Sequence, residues 1–162
     1  MSFSNKRGAE YLVKLGNRQL KSDENDLTKR CKFNFSYFTV ADGSQDFSEW
    51  TPVHLRKLLN ALKDYGSNTL HHWRKQQMGG GSVLSIYGEF PQNSAFRHPL
   101  GVPLDVLWGR FRLQSAVRLC GFVVPTELHG ELHGKTKERF DANTFYVVFL
   151  DQNHDFYITE EK

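Results

Sequence analysis

The stretch LWGRFRLQSAVRLCGFVV, residues 107–124, restricts the possible folds of this chain more than any other segment. Its two apolar, strand-like runs, residues 107–114 and 117–124, are separated only by Ser115 and Ala116. Two strand-like runs joined by so short a connection are typical of a β-hairpin. The segment therefore predicts a hairpin that belongs to a larger sheet.

The register of this hairpin decides whether two of its arginines meet. If Gln114 pairs with Val117, Arg112 and Arg118 project from opposite faces of the sheet, whereas pairing of Leu113 with Val117 places them opposite each other on one face. The connecting residues lack the Asn-Gly or Gly-X pair that a two-residue turn prefers, which favours the second register.

Two arginines directly opposite each other repel unless a negative group lies between them. Guanidinium groups suit phosphate because they donate two parallel hydrogen bonds and keep their charge. Together with Arg110, the pair therefore predicts a site for an anion. An open alternative is that the arginines pair with Glu89, Asp105 or Asp151 on a solvated sheet face.

A helix with clear end signals lies upstream of the hairpin. Thr51 fits the N-cap, Pro52 the first helical position and Gly66 the stop. The predicted buried stripe of this helix comprises Leu55, Leu58, Leu59 and Leu62. A second, short helix capped by Ser67 follows, and the glycines at 79–81 predict a flexible connector after it.

Alternating or apolar runs predict further strands at residues 31–40, 82–90 and 144–152, and a short tail ends the chain. The order is one strand, two helices and then several strands with short connections. This order predicts an α+β fold, in which a twisted antiparallel β-sheet carries the two helices on one face.

The chain of 162 residues suits one domain, predicted over residues 31–162. Residues 1–30 are rich in charge and poor in large apolar groups, which predicts an arm that is partly disordered or helical. Cys31 and Cys120 suggest no disulfide framework. With no long apolar segment, we expect a cytoplasmic protein without a membrane partner. The net charge of +3 is compatible with nucleic acid.

Residues 98–157 resemble a known family in the segments HPLGVPLDVLWGRFRL, VRLCGFVV and FYVVFLDQNHDFY. They are similar to the C-terminal sheet of RelE-like ribonuclease toxins, the mRNA interferases of HigB and YoeB type. The preceding strand and two helices agree with the order of that family. The matching positions are His98, Pro99, Leu100, Arg110, Arg112, Arg118, Leu119, His154 and Tyr157.

The resemblance implies a metal-independent endoribonuclease in which a 2′-hydroxyl attacks the adjacent phosphate, with no cofactor. It implies His154 as acid or base and Tyr157 as proton donor or base-stacking ring. Arg112 and Arg118 would clamp the phosphate, assisted by Arg110 or His98. The implied partners are RNA, including mRNA on the ribosome, and a cognate inhibitory protein.

Two other clusters have weaker signals. Trp73, Arg74 and Lys75 fit nucleic-acid contact, where the ring stacks and the cations meet phosphates, although Trp73 also fits a core position. His129 and His133 share the spacing of a helical metal pair, but the glycines around them favour a polar loop. We therefore predict no metal site.

Two other classes of function remain open on the same scaffold. One is a non-catalytic module that binds nucleic acid or protein through its sheet. The other is an accessory protein with a degenerate site. RNA cleavage that resists chelators would distinguish the nuclease from both, whereas salt-dependent binding alone would favour the binding module.

Overall fold

The chain folds into three α-helices and seven β-strands within residues 6–16, 19–41, 43–113 and 117–158, which the structure, a computed structural model, describes. The helices are α1 (Lys6–Gly16), α2 (Pro52–Tyr65) and α3 (Leu70–Lys75). The strands are β1 (Lys32–Asn34), β2 (Gln77–Met78), β3 (Gly81–Ser82), β4 (Leu84–Gly88), β5 (Leu107–Arg112), β6 (Arg118–Val123) and β7 (Thr144–Asp151).

Five strands form one mixed sheet in the order β1-β7-β6-β5-β4. Neighbours from β4 to β7 are antiparallel, but β1 runs parallel to β7. The α+β class is confirmed, whereas the prediction of an entirely antiparallel sheet is wrong at this edge. The strand predicted over 31–40 is also shortened, because the Asn34 side chain accepts the Ser36 N–H at 2.8 Å and turns the chain.

The end signals of α2 act as predicted. The Thr51 hydroxyl accepts the N–H of His54, Pro52 begins the helix and Gly66 follows its last residue. The buried stripe differs from the predicted one at one position, since Leu59 is 64% exposed whereas Tyr65 is buried. At 100° per residue, Leu59 lies on the far side of the stripe from Tyr65.

The start of α3 and the segment after it differ from prediction. Thr69, not Ser67, caps α3 by accepting the N–H of His72. The glycines form the turn of a hairpin between β2 and β3, where Gly79 has φ 61°. The predicted connector is therefore a defined turn, and this turn contacts the candidate site described below.

Both faces of the sheet are covered over part of their area. On one face α2 and α3 pack through Leu58 and Leu70 against a core that includes Phe111 and Phe145. This placement of two helices on one face agrees with the prediction. The other face carries a second apolar cluster whose buried rings are Phe96, Trp108, Phe122, Phe149 and Phe156.

The end of the chain contributes to this second cluster. Phe156 is 0% exposed, and its ring lies 5.6 Å from that of Phe90. The segment after β7 was predicted as a short tail, and this prediction is wrong for Phe156. The reason is a turn after β7, held by Asp151, that returns the chain to the sheet.

The arm predicted at residues 1–30 contains α1 and a 3-10 turn at Leu27–Lys29. Tyr11, Leu12 and Val13 of α1 are largely exposed. Cys31 and Cys120 are both buried and free, as their positions in apolar runs predict. Among the helices of the described ranges, none is long and apolar enough to cross a membrane.

Candidate functional site

The register of the β5–β6 hairpin places Arg112 directly opposite Arg118. The Leu113 N–H donates to the Val117 carbonyl at 3.1 Å, so the ladder continues by one pair beyond the two arginines. The predicted longer connection is therefore confirmed, although residues 114–116 themselves lie outside the described ranges. Arg110 lies two residues before Arg112 and shares its face, because side chains alternate along a strand.

Strand β7 adds a carboxylate to the same row. Asp151 is the cross-strand partner of Arg118 and is 0% exposed. Its side chain accepts backbone N–H groups from Asn153, Asp155 and Phe156 at 3.0–3.2 Å. Asp151 therefore holds the turn that carries His154 beside the arginines.

Arg118 occupies the centre of this row and is only 3% exposed. Burial lowers the pKa of its guanidinium, and the positive charges of Arg110 and Arg112 lower that pKa further, while Asp151 opposes them. The three arginines are thus close enough to disfavour one another's charge. An anion beside them would relieve this repulsion.

Arg112 is anchored by the β2–β3 hairpin. Its Nη1 donates to the Met78 carbonyl oxygen at 2.6 Å. A Cβ atom on Gly81 would lie 2.9 Å from Arg112 Nη2, and one on Gly79 would lie 3.2 Å from Nη1. The glycines therefore admit the guanidinium, so the turn helps to position the site.

Arg110 borders a pair of stacked tyrosines. Its guanidinium carbon lies 5.8 Å from the centroid of the Tyr87 ring, within the range of a cation–π contact. The rings of Tyr87 and Tyr157 are stacked, with centroids 4.5 Å apart and planes 6° apart. Burial raises the pKa of Tyr87 to about 12, against the opposing charge of Arg110. Tyr157, which is partly exposed, therefore stands next to the arginines.

His154 lies in the turn after β7 with a left-handed backbone, φ 63°. Partial burial lowers the pKa of its imidazole, and the charges of Arg118 and Arg110 lower that pKa further, although Asp151 opposes them. The imidazole is therefore neutral near pH 7 and can accept a proton. The structure thus brings together Arg110, Arg112, Arg118, His154 and Tyr157, all of which the sequence predicts for the site.

The other four predicted residues lie elsewhere. The ring of His98 packs 5.4 Å from both Phe90 and Trp108, inside the second apolar cluster. Trp73 lies on the helix-covered face, where its ring N–H donates to the Tyr65 carbonyl, as its core alternative suggests. Arg74 and Lys75 are exposed on α3, which packs on that same face.

Sequence reasoning missed Tyr87 and Gly81 as parts of the site. Both depend on which strand lies beside β5, and a single sequence does not reveal that β4 does. Asp151 was considered only as a partner for an arginine, and its role in holding the His154 turn was missed. The spacing of Asp151 from the backbone groups that it binds was the available signal.

The loop at 125–143 is held by its own hydrogen bonds. Gly130 and Phe140 are joined by a backbone bond, and an isolated bridge joins Leu132 to Arg139. His129 accepts the Ala142 N–H, whereas His133 bonds within its own turn. Within the described residues, no three His, Cys, Asp or Glu side chains form a group that could hold a metal ion.

The chain matches no protein-family model. No curated protein and no solved structure matches it either. The argument for function therefore depends on the geometry of the site.

Proposed function

We propose that this protein is a metal-independent endoribonuclease of RelE-like type that binds RNA phosphate on the arginine-bearing face of its sheet. The observation that carries the proposal is the convergence of Arg110, Arg112 and Arg118 with His154 at one end of the β5–β6 hairpin. The order of elements, from β1 through two helices to β4–β7, supports the resemblance.

The cationic groups would bind the scissile phosphate. Phosphate oxygens accept paired hydrogen bonds from guanidinium groups, and charge builds on these oxygens when a pentacoordinate phosphorane forms. Arg110 and Arg112 are half-buried and form no ion pair among the described residues. Their charge is therefore available to an anion. The buried Arg118 would act mainly by adding positive potential.

His154 would accept the proton of the attacking 2′-hydroxyl. The 2′-oxygen then forms a bond to phosphorus and the bond to the 5′-oxygen breaks, which leaves a 2′,3′-cyclic phosphate and a 5′-hydroxyl that takes its proton from water. Because the pKa of His154 is lowered, its neutral, proton-accepting form prevails at neutral pH. General base catalysis of this kind contributes about 10²- to 10⁴-fold to the rate.

Tyr157 would contact a base rather than transfer a proton. Its ring is stacked flat on Tyr87 and is 38% exposed. An exposed aromatic ring beside a row of cations is the usual arrangement for single-stranded nucleic acid, because every base has a face that can stack. The stack would thus position the nucleotide next to the cleaved phosphate.

One observation favours a second candidate, a nucleic-acid-binding module without catalysis. The guanidinium of Arg112 already donates to the Met78 carbonyl, and that of Arg118 donates to the Val117 carbonyl. Guanidinium groups held in this way could bind phosphate without completing a catalytic site. Such a protein would bind RNA with a strong salt dependence and leave it intact.

Cleavage of end-labelled RNA in the presence of EDTA tests the proposal. We expect products that end in 2′,3′-cyclic phosphate, with ribosomes added in a parallel reaction because relatives of this type act on translated mRNA. His154→Ala should slow cleavage at least about 100-fold, whereas Arg74→Ala, on the opposite face, should not. Binding without cleavage under both conditions would contradict the nuclease and support the binding module. A cytoplasmic location and an inhibitory protein partner belong to the same proposal.

A further inference from the structure

A cavity of about 700 Å³ lies on the face of the sheet opposite to the arginines. Its floor is apolar and is formed by Leu84, Ile86, Leu107 and Val123 from β4, β5 and β6. Leu84 and Val123 belong to the helix-side core, and Leu107 is the cross-strand partner of Val123. Because side chains alternate along a strand, the cavity and the arginine row are separated by the sheet itself.

The cavity lies where the sheet has only partial helical cover. Helix α3 is six residues long and borders the cavity at Leu70. The opposite wall comes from the 125–143 loop, including Phe140. An apolar floor of this kind exposes hydrophobic surface that a ligand would remove from water. The volume lies within the range of about 300–1,000 Å³ that is typical of small-molecule sites.

The rim of the cavity is cationic. Arg74 comes from α3, and Arg139 and His129 come from the loop. Arg74 forms no hydrogen bond or ion pair among the residues that the structure describes, and Arg139 donates one hydrogen bond, from Nη1 to the Gly130 carbonyl. Both guanidinium groups therefore keep donors for a ligand.

The acidic residue at the rim does not cancel this charge. Asp141 lies against Lys32, to which it is joined by an ion pair, and it also accepts the Thr144 hydroxyl and the Asn143 N–H. These contacts lower the pKa of Asp141 despite its partial burial. With Lys32 and Asp141 neutralising each other, the two arginines leave the rim with a net positive charge.

We infer that this cavity binds a small organic anion, with its carboxylate, sulfonate or phosphate group at Arg74 and Arg139 and its apolar body on the sheet. An apolar floor with a few placed polar groups at its edge is the usual composition of a ligand site. A carboxylate suits a guanidinium because two parallel hydrogen bonds can form. The site is independent of the proposed nuclease, since it lies on the other face.

Fluorescence titration with 1-anilinonaphthalene-8-sulfonate tests the inference, because this probe joins an anionic group to an apolar body. We expect saturable binding at one site and displacement by decanoate but not by decanol. Arg74→Ala should weaken binding about tenfold, the loss typical of a hydrogen bond to a charged group. Lys75→Ala, its neighbour on α3 outside the cavity lining, should change the affinity less than twofold.

Two further measurements keep the result unambiguous. N-phenyl-1-naphthylamine has the same rings without the sulfonate, and equal affinity for both probes would overturn the role of charge. Circular dichroism of each variant excludes binding to an unfolded chain. Loss of probe binding in Arg110→Ala with retention in Arg74→Ala would place the probe at the arginine row and overturn the inference.

Discussion

Arg112 lies directly opposite Arg118 in the ladder between β5 and β6, so two like charges occupy one cross-strand pair. Opposed like charges destabilise a sheet. Arg110, two residues away on the same face, adds a third charge, and its effect is visible in the lowered pKa of Arg118. This arrangement has consequences for anion binding, for stability and for pH dependence.

Inorganic sulfate should stabilise the protein by binding to the arginine row. A ligand that binds only the folded state at ten times its Kd adds about 1.4 kcal/mol to the free energy of unfolding. Thermal unfolding in sulfate and in sodium chloride of equal ionic strength measures the effect. In Arg112→Gln the advantage of sulfate should disappear, while in the matched variant Lys75→Gln it should persist. An equal increase in Tm in both salts would argue against an anion site.

Replacing Asp151 with Asn should destabilise the fold by about 3 kcal/mol. The buried carboxylate accepts three backbone N–H groups and faces Arg118, and the loss of charge-assisted bonds to a buried acceptor is costly. Urea unfolding followed by tryptophan fluorescence measures the change. Asp155→Asn is the control, because no described residue contacts the Asp155 side chain, and its effect should stay below about 0.5 kcal/mol. Equal effects would contradict the role of Asp151.

Gly81→Ala should weaken RNA binding by displacing Arg112. The new methyl group would lie 2.9 Å from Arg112 Nη2, whereas a Cβ on Gly80 meets nothing within 4 Å. Gly80→Ala is therefore a matched control in the same turn. We expect a loss of about tenfold in affinity for a single-stranded RNA in Gly81→Ala, since one charged contact to phosphate is weakened. If the two variants bind equally, the turn does not position Arg112.

The imidazole of His154 should titrate below pH 6.5, its ordinary pKa, because burial and the nearby arginines disfavour the charged form. The folded pKa is then lower than the unfolded one, so the unfolded state binds more protons between them. The associated stability is complete above about pH 6.5 and is lost as the pH falls through the lowered value.

NMR titration of the His154 ring protons measures this pKa directly. Arg110→Gln should raise it by removing a positive charge, and Arg74→Gln should leave it unchanged because Arg74 lies on the opposite face. RNA cleavage should in turn persist to lower pH than a histidine with an ordinary pKa allows. A pKa at or above 6.5 in the folded protein would contradict the placement of His154 beside the arginines.

Local sequence chemistry was sufficient for the parts of the fold that depend on near neighbours. Thr51, Pro52 and Gly66 delimit α2 because capping requires only residues within a turn of the helix end. The face shared by Arg112 and Arg118 could be predicted because it depends on turn length alone. The same reasoning predicted β7 and the grouping of His154 with the hairpin arginines followed from the family resemblance.

Contacts between distant segments decided the rest. The parallel pairing of β1 with β7, the burial of Phe156 and the position of His98 among aromatic rings all depend on which surfaces meet. Arg74 and Lys75 adjoin Trp73 in sequence, yet the packing of Trp73 against Tyr65 directs that helix to the face opposite the arginine row.

The sequence by itself therefore determined the elements, their ends and the alternation that places the arginines on one face. Only the tertiary structure decided which residues adjoin them and that a cavity opens behind them. The physical reason is that helix caps and strand alternation act over a few residues, whereas burial joins residues far apart in the chain, as when Tyr87 stacks on Tyr157.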